Sequence, residues 1–300
     1  MKILIIGCNG FIGSALFSYF GHDNEVYGID TFKGLYENTV VDSIKPDFSG
    51  IFISNKFDLC VNCAGSANVQ KSFTDPFLDF KLNTEIVAHV LSSINLFNSD
   101  CRFINISSAA VYGNPNVIPI SVGDYEIPIS PYGSHKRISE ILISDYARIF
   151  GLKSISLRVF SAYGIGQKKL LFWDLYNKFV SNPEEKVIEL FGTGFETRDF
   201  IYIDDIAQQI ALIIKCADFK GEIYNIANGI EVSIRELAIT MRDYLQSDKE
   251  ILFQELNRLG DPLNWCADIS NLIEWGYRQS VPLHHGIELY CKWLKNLVDD

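Results

Sequence analysis

The sequence is poor in basic residues, in cysteine and in long apolar runs, and each shortage excludes a class of protein. Its 300 residues contain 26 Lys and Arg against 37 Asp and Glu, a formal net charge of −11. Because binding to a phosphate backbone needs a clustered basic surface, this balance argues against a nucleic-acid partner. No stretch approaches the roughly 18 consecutive apolar residues that a membrane-spanning helix requires, so we expect no membrane contact.

Cysteine is scarce, and the seven residues are scattered and odd in number. Cys60 and Cys63 form a C-x-x-C, but they lie in an apolar run without a second pair nearby. This pattern is typical of reduced thiols in a core and argues against a disulfide framework or a zinc site. We therefore expect a cytoplasmic protein without a metal. The short apolar run after Lys2 stops at Gly7, which favours a buried first strand over a secretion signal.

Short β-branched runs alternate with longer helical patterns through the first half of the chain. Strands are predicted over Lys2–Ile6, Glu25–Ile29, Asp58–Asn62, Arg102–Ile106 and Ser154–Val159. Helices are predicted over 76–96 and 131–150, and Ser130 is expected to cap the second. Such alternation predicts an α/β fold, a Rossmann doubly wound parallel sheet whose ligands bind at the carboxyl ends of the strands.

The alternation weakens from about residue 165, where aromatic-rich stretches and Gly192-Thr193-Gly194 appear. We therefore predict two domains. A dinucleotide-binding domain covers 1–164 plus about 199–229, and a smaller C-terminal substrate-binding domain covers 165–198 plus about 230–300.

A G-x-x-G-x-x-G motif that starts at Gly7 directly follows the first predicted strand and opens a helix. A backbone that turns sharply and approaches a pyrophosphate has no room for a Cβ, and a helix N-terminus offers N–H groups to the phosphates. The motif therefore predicts a dinucleotide site, with a tight turn that binds nothing as the alternative. The predicted cofactor-binding residues of this turn are Gly7, Asn9, Gly10, Phe11, Ile12 and Gly13.

Asp30 ends the second predicted strand, seventeen residues after Gly13. A carboxylate in this place accepts hydrogen bonds from the adenosine ribose and repels a 2′-phosphate, so NAD is favoured over NADP. Lys33 is the nearest basic residue that follows. The alternative is an ordinary aspartate in a turn at the end of a strand.

A second constellation is Tyr132-x-x-x-Lys136. Residues four apart on a helix share a face, so the phenol and the ammonium can point into one pocket. A nearby cation lowers the pKa of a tyrosine, which can then take a proton from a sugar hydroxyl or return it to a ketone. Ser107 and Ser108 follow a predicted strand, where a substrate is expected to bind. The alternatives are a surface pair on a helix and a serine-rich turn.

Together these residues resemble the NAD-dependent epimerase/dehydratase family of nucleotide-sugar enzymes, within the extended short-chain dehydrogenase/reductase superfamily. The matching motifs run in order along nearly the whole chain. Besides the glycine turn and Asp30 they are Asp42, Asn62-Cys63-Ala64-Gly65, Asn83, Ser107-Ser108, Tyr132-Gly133-Ser134-His135-Lys136, Arg158-x-x-x-x-Tyr163-Gly164, Gly192-x-Gly194-x-x-x-Arg198-Asp199, Tyr202-x-Asp204-Asp205, Tyr224-Asn225-Ile226 and Arg258-x-Gly260-Asp261-Pro262.

The resemblance implies a role for several of the matching residues. Tyr132 is the general base or acid, Lys136 holds the nicotinamide ribose and lowers the pKa of that tyrosine, and Ser108 hydrogen-bonds the reacting oxygen. Asp42 contacts the adenine. Besides Tyr132 and Lys136, the further residues implied to bind NAD are Ala64, Gly65 and Asn83. Those implied to bind the nucleotide-diphosphate sugar are Ser161, Arg198, Arg258 and Asp261, with the two arginines as a clamp on the diphosphate.

The chain departs from the family pattern at three places. Dehydratases carry Asp-Glu just after the catalytic hydroxyl residue, where this chain has Ala109 and Ala110, which cannot transfer protons. This difference argues against dehydration, and for a similar reason against decarboxylation. Ser161 stands where many members have an asparagine that contacts the diphosphate. Ala67 replaces a polar or basic residue of galactose epimerases, so the sugar need not be plain galactose.

The sequence thus predicts an NAD-dependent nucleotide-sugar 4-epimerase that oxidises C4 to a 4-keto sugar and then reduces it again. An NAD(P)H-dependent reductase of nucleotide-4-keto-6-deoxyhexoses and an inactive NAD-binding regulator are the alternatives. The resemblance also implies a homodimer formed through the helices at about 76–98 and 131–150. One face of the second helix carries Ile138, Ile141, Leu142 and Ile149.

Overall fold

The computed structural model describes residues 1–34, 36, 38–42, 46–124, 126–182, 184–256 and 258–299. The strands are β1 (Lys2–Ile6), β2 (Glu25–Asp30), β3 (Asn38–Val40), β4 (Leu59–Asn62), β5 (Arg102–Ser108), β6 (Ser154–Val159), β7 (Ser161–Tyr163), β8 (Val187–Leu190), β9 (Thr197–Tyr202), β10 (Lys220–Ile226), β11 (Glu231–Ser233) and β12 (Glu250–Phe253). The α-helices are α1 (Phe11–Gly21), α2 (Ser49–Ser54), α3 (Val69–Thr74), α4 (Pro76–Phe80), α5 (Ile86–Phe97), α6 (Pro131–Phe150), α7 (Leu170–Val180), α8 (Ile203–Cys216), α9 (Ile234–Leu245), α10 (Ser270–Glu274) and α11 (Leu283–Asp299). A π-helical turn (Lys81–Glu85) joins α4 to α5, and a 3-10 turn (Ala109–Val111) follows β5.

One sheet contains seven strands in the order β10–β6–β5–β4–β1–β2–β3. β1 pairs in parallel with both β2 and β4, and β5 pairs in parallel with both β4 and β6. The strand order therefore reverses beside β1, and ligands of such sheets bind outside the carboxyl ends of the strands at this point. The predicted doubly wound parallel sheet is confirmed.

The elements form where the local sequence predicts them. β1 is buried from Ile3 to Ile6, as a strand covered on both faces must be. The Ser130 hydroxyl accepts a hydrogen bond from the Gly133 N–H at 3.1 Å, and α6 ends at Gly151 in the left-handed region with φ of +69°. The predicted bounds of α6 are confirmed, and the predicted strands agree with the observed ones to within two residues.

Two helical features differ from the simple pattern. The predicted helix over 76–96 consists of α4, the π-helical turn and α5, and a π turn inserts an extra residue that rotates the side chains beyond it. Of the four apolar residues predicted to share a face of α6, Ile138, Ile141 and Ile149 are exposed, and Leu142 is partly buried against the core. The buried face of α6 is mostly polar because it lies against the site described below.

The chain divides into two compact units. Unit 1 comprises 1–114, 122–159 and 213–225. Unit 2 comprises 115–121, 160–212 and 226–300. The predicted domains instead placed 115–121, 160–164, 199–212 and about 226–229 with the dinucleotide-binding part. β7 and β9 belong to unit 2 because β9 pairs with β7 and β11 in a separate three-stranded sheet.

None of the helices that the structure describes combines the length and the hydropathy needed to cross a membrane. The seven cysteines are free thiols. Cys60 is buried within β4, and Cys63 follows that strand at a half-buried position.

The turn between β1 and α1 has no room for a side chain at two of its glycines. Gly7 has a φ of +79°, and a Cβ there would lie 2.7 Å from the backbone nitrogen of Ala64. A Cβ on Gly13 would lie 2.0 Å from the Gly7 carbonyl oxygen. Both contacts are with backbone, which cannot move aside as a flexible side chain can. The fold therefore requires these glycines, whatever the turn binds.

We expect Gly13→Ala to lower the free energy of unfolding by about 2 kcal/mol or more, because the new methyl group overlaps the Gly7 carbonyl. Gly21→Ala at the end of the same helix is the matched control, since a Cβ there meets nothing within 4 Å. This control is expected to be neutral or stabilising by up to about 1 kcal/mol. Urea unfolding followed by circular dichroism measures both, and equal midpoints would contradict the packing described here.

Candidate active site

The glycine turn ends in a helix N-terminus that has no competing side chain. Gly10 is the N-cap of α1 and contributes no side-chain cap, and the first turn contains no acidic residue. The first-turn N–H groups of a helix have no partner within the helix, and the helix dipole is positive at this end. Phe11, Ile12 and Gly13 form that first turn. Together with the space left at Gly7, the turn fits the pyrophosphate of a dinucleotide.

The Asp30 carboxylate is held against the glycine turn. Its Oδ2 accepts a hydrogen bond from the Asn9 N–H at 2.8 Å, and its Oδ1 accepts one from the Thr31 N–H at 2.7 Å. The Val41 N–H donates a hydrogen bond to the Asp30 carbonyl at 2.9 Å. The exposed Asp42 is the next residue after Val41 and therefore lies near Asp30. The carboxyl predicted to bind the ribose is thus fixed beside the turn predicted to bind the phosphates.

Three of the predicted cofactor residues meet after β4. Gly65 has a φ of +146°, and a Cβ there would lie 2.7 Å from the Asn83 Oδ1 and 3.4 Å from the Lys136 Nζ. Asn83 Oδ1 also accepts a hydrogen bond from the Ser66 N–H at 3.2 Å. The Ala64 N–H donates to Asn62 Oδ1 at 3.3 Å, which fixes the start of this segment. Gly65, Asn83 and Lys136 therefore line one small space.

Tyr132 and Ser108 come together at the end of β5. Tyr132 is in the first turn of α6, and its backbone N–H donates to the Ser72 hydroxyl at 3.2 Å. Ser108 is the last residue of β5, and its hydroxyl accepts a hydrogen bond from the Ala110 N–H at 3.2 Å. The Lys136 ammonium lies 6.0 Å from the centre of the Tyr132 ring. The three residues predicted to be catalytic thus share one site in unit 1.

The pKa of Tyr132 is raised rather than lowered. Burial raises it to about 12, hydrogen bonding with the Ser108 side chain lowers it, and the charge of Asp79 raises it. For the protein alone, the net shift is therefore opposite to the lowering that the sequence predicted from the nearby ammonium, and the effect of Lys136 itself stays a prediction. The physical reason is that the phenol loses hydration on burial, and a phenolate there would be poorly solvated.

Lys136 is buried as well, and its ammonium donates a hydrogen bond to the Ile106 carbonyl at 2.9 Å. Burial lowers its pKa to about 8, while the charges of Asp79, Glu140 and Cys63 raise it. Burial thus opposes the charged form of both Tyr132 and Lys136.

Sequence reasoning missed two buried charged residues beside the site. Asp79 is bonded to His135, the residue before Lys136, and Glu140 accepts hydrogen bonds from Arg158 and from the Ser107 hydroxyl. The sequence spacing could have indicated both residues, because Asp79 precedes Asn83 by four residues and Glu140 follows Lys136 by four. On a helix that spacing places two side chains on one face.

Unit 2 gathers the predicted substrate residues around Arg198. The Arg198 guanidinium donates to the carbonyls of Thr197 at 2.8 Å and Leu263 at 3.2 Å, and it lies 5.7 Å from the centre of the Trp265 ring. Burial lowers its pKa to about 10, and the charges of Asp261 and Glu196 raise it. Glu196 is an acidic neighbour that the sequence analysis did not single out.

The charge of Asp261 interacts with those of Arg198 and Arg258. Burial raises its pKa, and the charges of Arg198 and Arg258 lower it. Arg258 is exposed and stacks over the Phe191 ring at 4.5 Å. Both arginines therefore lie within reach of the Asp261 charge.

Asp199 and Ser161 both lie within secondary structure of unit 2. Asp199 is buried and accepts hydrogen bonds from the N–H groups of Asn228, Gly229 and Ala267 at 2.9, 2.9 and 3.1 Å. It therefore orders two chain segments rather than forming a surface ion pair with Arg198. Ser161 is half-buried in β7, in register with Phe200 of β9.

Comparison with known sequences gives relatives along the whole chain. Residues 3–227 match the sequence family described as the NAD dependent epimerase/dehydratase family. The uncharacterized protein MJ1055 of Methanocaldococcus jannaschii is 30% identical, over 97% of this chain and 95% of that protein. The putative UDP-glucose 4-epimerase of the same organism is 27% identical, over 98% of both chains.

Comparison with solved structures gives the same family. The UDP-glucuronic acid 4-epimerase of Bacillus cereus, determined in complex with UDP-glucuronic acid and NAD, matches with a TM-score of 0.89 at 28% identity. The match covers 99% of this chain and 100% of that one. The predictions of the family, of the Rossmann-type fold and of NAD as the cofactor are confirmed. The chain belongs to the NAD dependent epimerase/dehydratase family.

Proposed function

We propose that this chain is an NAD-dependent nucleotide-sugar 4-epimerase. Tyr132, Ser108 and Lys136 lie together in unit 1. Two of the relatives compared above are named as UDP-sugar 4-epimerases. Because these relatives are epimerases, the reductase left open by the sequence is not favoured.

The observation that carries the proposal is that the two residues directly after Ser108 are alanines and not carboxyl-bearing residues. Ala109 and Ala110 form the 3-10 turn after Ser108, and their side chains hold no proton. Dehydration needs a further acid and base to remove water from the sugar. Epimerisation at C4 needs a single group that removes a proton and returns it, and Tyr132 is such a group.

The proposed mechanism assigns one task to each catalytic residue. Tyr132 takes the proton of the C4 hydroxyl, and Ser108 donates a hydrogen bond to the same oxygen. The Lys136 ammonium supplies positive charge near the phenol. The chemistry that bound NAD supplies is reversible hydride transfer at C4. Inversion requires the 4-keto sugar to turn over in the pocket so that its other face is reduced, and Tyr132 then returns the proton to the C4 oxygen. One carbon is inverted, and the cofactor is not consumed.

Binding is assigned to the residues that the sequence predicted. We assign the NAD pyrophosphate to the glycine turn with Asn9, Phe11 and Ile12, the adenosine to Asp30 and Asp42, and the nicotinamide ribose to Lys136. Ala64, Gly65 and Asn83 border the same space as Lys136. In unit 2 we assign the nucleotide diphosphate to Arg198 and Arg258, with Asp261 and Ser161 as further substrate contacts.

We further propose a cytoplasmic homodimer. Seven free thiols fit a reducing compartment. The exposed isoleucines on α6 fit an interface, because Ile141 and Ile149 are 51% and 58% exposed and Leu96 on α5 is 68% exposed. These are the two helices through which the family resemblance implies dimerisation.

The test of the reaction is conversion of UDP-hexoses and UDP-hexuronic acids without added cofactor, followed by mass spectrometry and NMR of the products. We expect Tyr132→Phe to lower turnover by about 1,000-fold, because it removes the only proton that the phenol transfers. Tyr146→Phe on the same helix is the matched control and should keep full activity. Stoichiometric consumption of NAD(P)H on a 4-keto sugar, with no epimer formed, would overturn the proposal in favour of the reductase.

We expect Lys136→Met to abolish turnover and yet stabilise the fold at pH 7. A lysine whose pKa falls to about 8 on folding binds its proton more weakly in the native state, so its burial costs stability below pH 8. Above roughly pH 10.4 the lysine is neutral in both states and the cost disappears. The difference in urea midpoint between the variant and the wild type should therefore shrink as the pH rises from 8 to 10. A constant difference would contradict this account.

The dimer is tested by light scattering. We expect about twice the chain mass of 33.9 kDa for the wild type. Ile141→Glu should shift the mass towards one chain, because it places a charge on the exposed apolar face of α6. Asp145→Asn, also on α6, is the matched control and should remain dimeric. A monomeric wild type at micromolar concentration would exclude the dimer.

A further inference from the structure

Asp79 lies at a break in the helix that borders the site. It occupies the last turn of α4, immediately before the π-helical turn, and its side chain is 4% exposed. A buried carboxylate needs partners for both oxygens, because an unpaired charge in a dry environment costs several kcal/mol. π turns inside longer helices frequently mark functional sites.

Both oxygens of Asp79 have a partner. Oδ2 lies 2.6 Å from the His135 Nδ1, and Oδ1 accepts a hydrogen bond from the Asn83 Nδ2 at 3.0 Å. The imidazole is itself fixed: it packs edge-on against Phe80 with ring centres 5.5 Å apart, and the His135 carbonyl accepts from the Thr84 hydroxyl at 2.9 Å. Asp79 therefore ties the π turn to α6 one residue before Lys136.

This pairing decides which way the Asn83 amide points. An amide has a donor end and an acceptor end, so fixing one end fixes the other. With Nδ2 on Asp79, the Oδ1 of Asn83 faces the Ser66 N–H at 3.2 Å and borders Gly65. The chain of contacts thus runs from His135 through Asp79 and Asn83 to the loop that the proposed function assigns to the cofactor.

Asp79 also contributes charge to the catalytic residues. It raises the pKa of both Tyr132 and Lys136. The other groups that act on Tyr132 and Lys136 are the Ser108 hydroxyl from the end of β5, Glu140 from α6 and Cys63 after β4. Asp79 acts on both residues and comes from a different helix.

We propose that Asp79 and His135 form a positioning pair, in which the imidazole holds the carboxylate so that it orients Asn83 and sets the charge beside Tyr132 and Lys136. The pair touches neither substrate nor NAD in this proposal. This proposal rests on the proposed function only because the proposed function gives Tyr132 and Lys136 their catalytic roles. Neither residue is among those that the sequence analysis assigned to the site.

The first test is Asp79→Asn, which removes the charge and keeps the shape and one hydrogen-bond acceptor. Because the carboxylate disfavours the phenolate, its removal should move the acid limb of the pH profile of kcat to lower pH by about half a unit or more. KM for the nucleotide sugar should change less than about twofold, because Asp79 touches no assigned substrate residue. Asp145→Asn, an exposed aspartate on α6 with an arginine partner, is the matched control and should leave the profile unchanged.

A second measurement needs no turnover. Ionisation of tyrosine changes its ultraviolet absorbance, and subtracting the titration of a Tyr132→Phe protein isolates Tyr132. In the holoenzyme this residue should ionise at lower pH in Asp79→Asn than in the wild type. If Tyr132 ionises at the same pH in both proteins and the kcat profile does not move, the proposal is overturned. If the wild type makes no epimer while Tyr132 still shifts in Asp79→Asn, the proposed function fails and the pair stands.

The role of His135 is tested by two substitutions. His135→Asn keeps a nitrogen donor near the position of Nδ1 and should retain kcat within about threefold. His135→Phe keeps a ring beside Phe80 but leaves Asp79 without this partner, and it should lower kcat at least tenfold while the melting temperature reports whether the fold survives. Equal kcat in His135→Asn, His135→Phe and the wild type would overturn the positioning role.

Discussion

The buried polar face of α6 is the constraint on which the site depends. Tyr132, Lys136, Ser139 and Glu140 are buried together with Ile143, whereas Ile138, Ile141 and Ile149 of the same helix are exposed. The buried face is thus mostly polar, which departs from the usual amphipathic pattern in which an apolar face packs on the sheet. A helix so arranged is stable only if each buried polar group finds a partner within the sheet.

Those partners come from α6 itself and from the central strands β5 and β6. The Ser139 hydroxyl donates to the Lys136 carbonyl at 2.7 Å, and Asn105 of β5 donates to that hydroxyl at 3.4 Å. Arg158 of β6 is fully buried and donates to Glu140 at 2.7 Å. Strands β5 and β6 of the Rossmann-type sheet thus supply part of the hydrogen bonding that holds α6 in place.

The parts of this site that the sequence predicted are those with a local signature. The glycine turn, Asp30 and Tyr132-x-x-x-Lys136 each occupy a few consecutive residues, so their spacing indicates their geometry. The Asp79–His135 pair joins residues 56 positions apart and depends on a π turn, which periodicity does not indicate. The direction of the Tyr132 pKa shift was mispredicted because spacing shows a nearby cation but does not show how completely the phenol is buried.

Burial has opposite effects on the pKa values of Tyr132 and Lys136, the two groups proposed to take part in catalysis. It raises that of Tyr132 to about 12 and lowers that of Lys136 to about 8, so the protein alone favours a neutral phenol and weakens the hold on the lysine proton. Asp79 and Glu140 counteract the effect at Lys136, but Asp79 adds to it at Tyr132. Asp79 therefore favours the charged form of Lys136 and at the same time opposes ionisation of Tyr132. Because burial and Asp79 both raise the pKa of Tyr132, this residue ionises readily only when further positive charge is bound beside it. An oxidised nicotinamide carries such a positive charge.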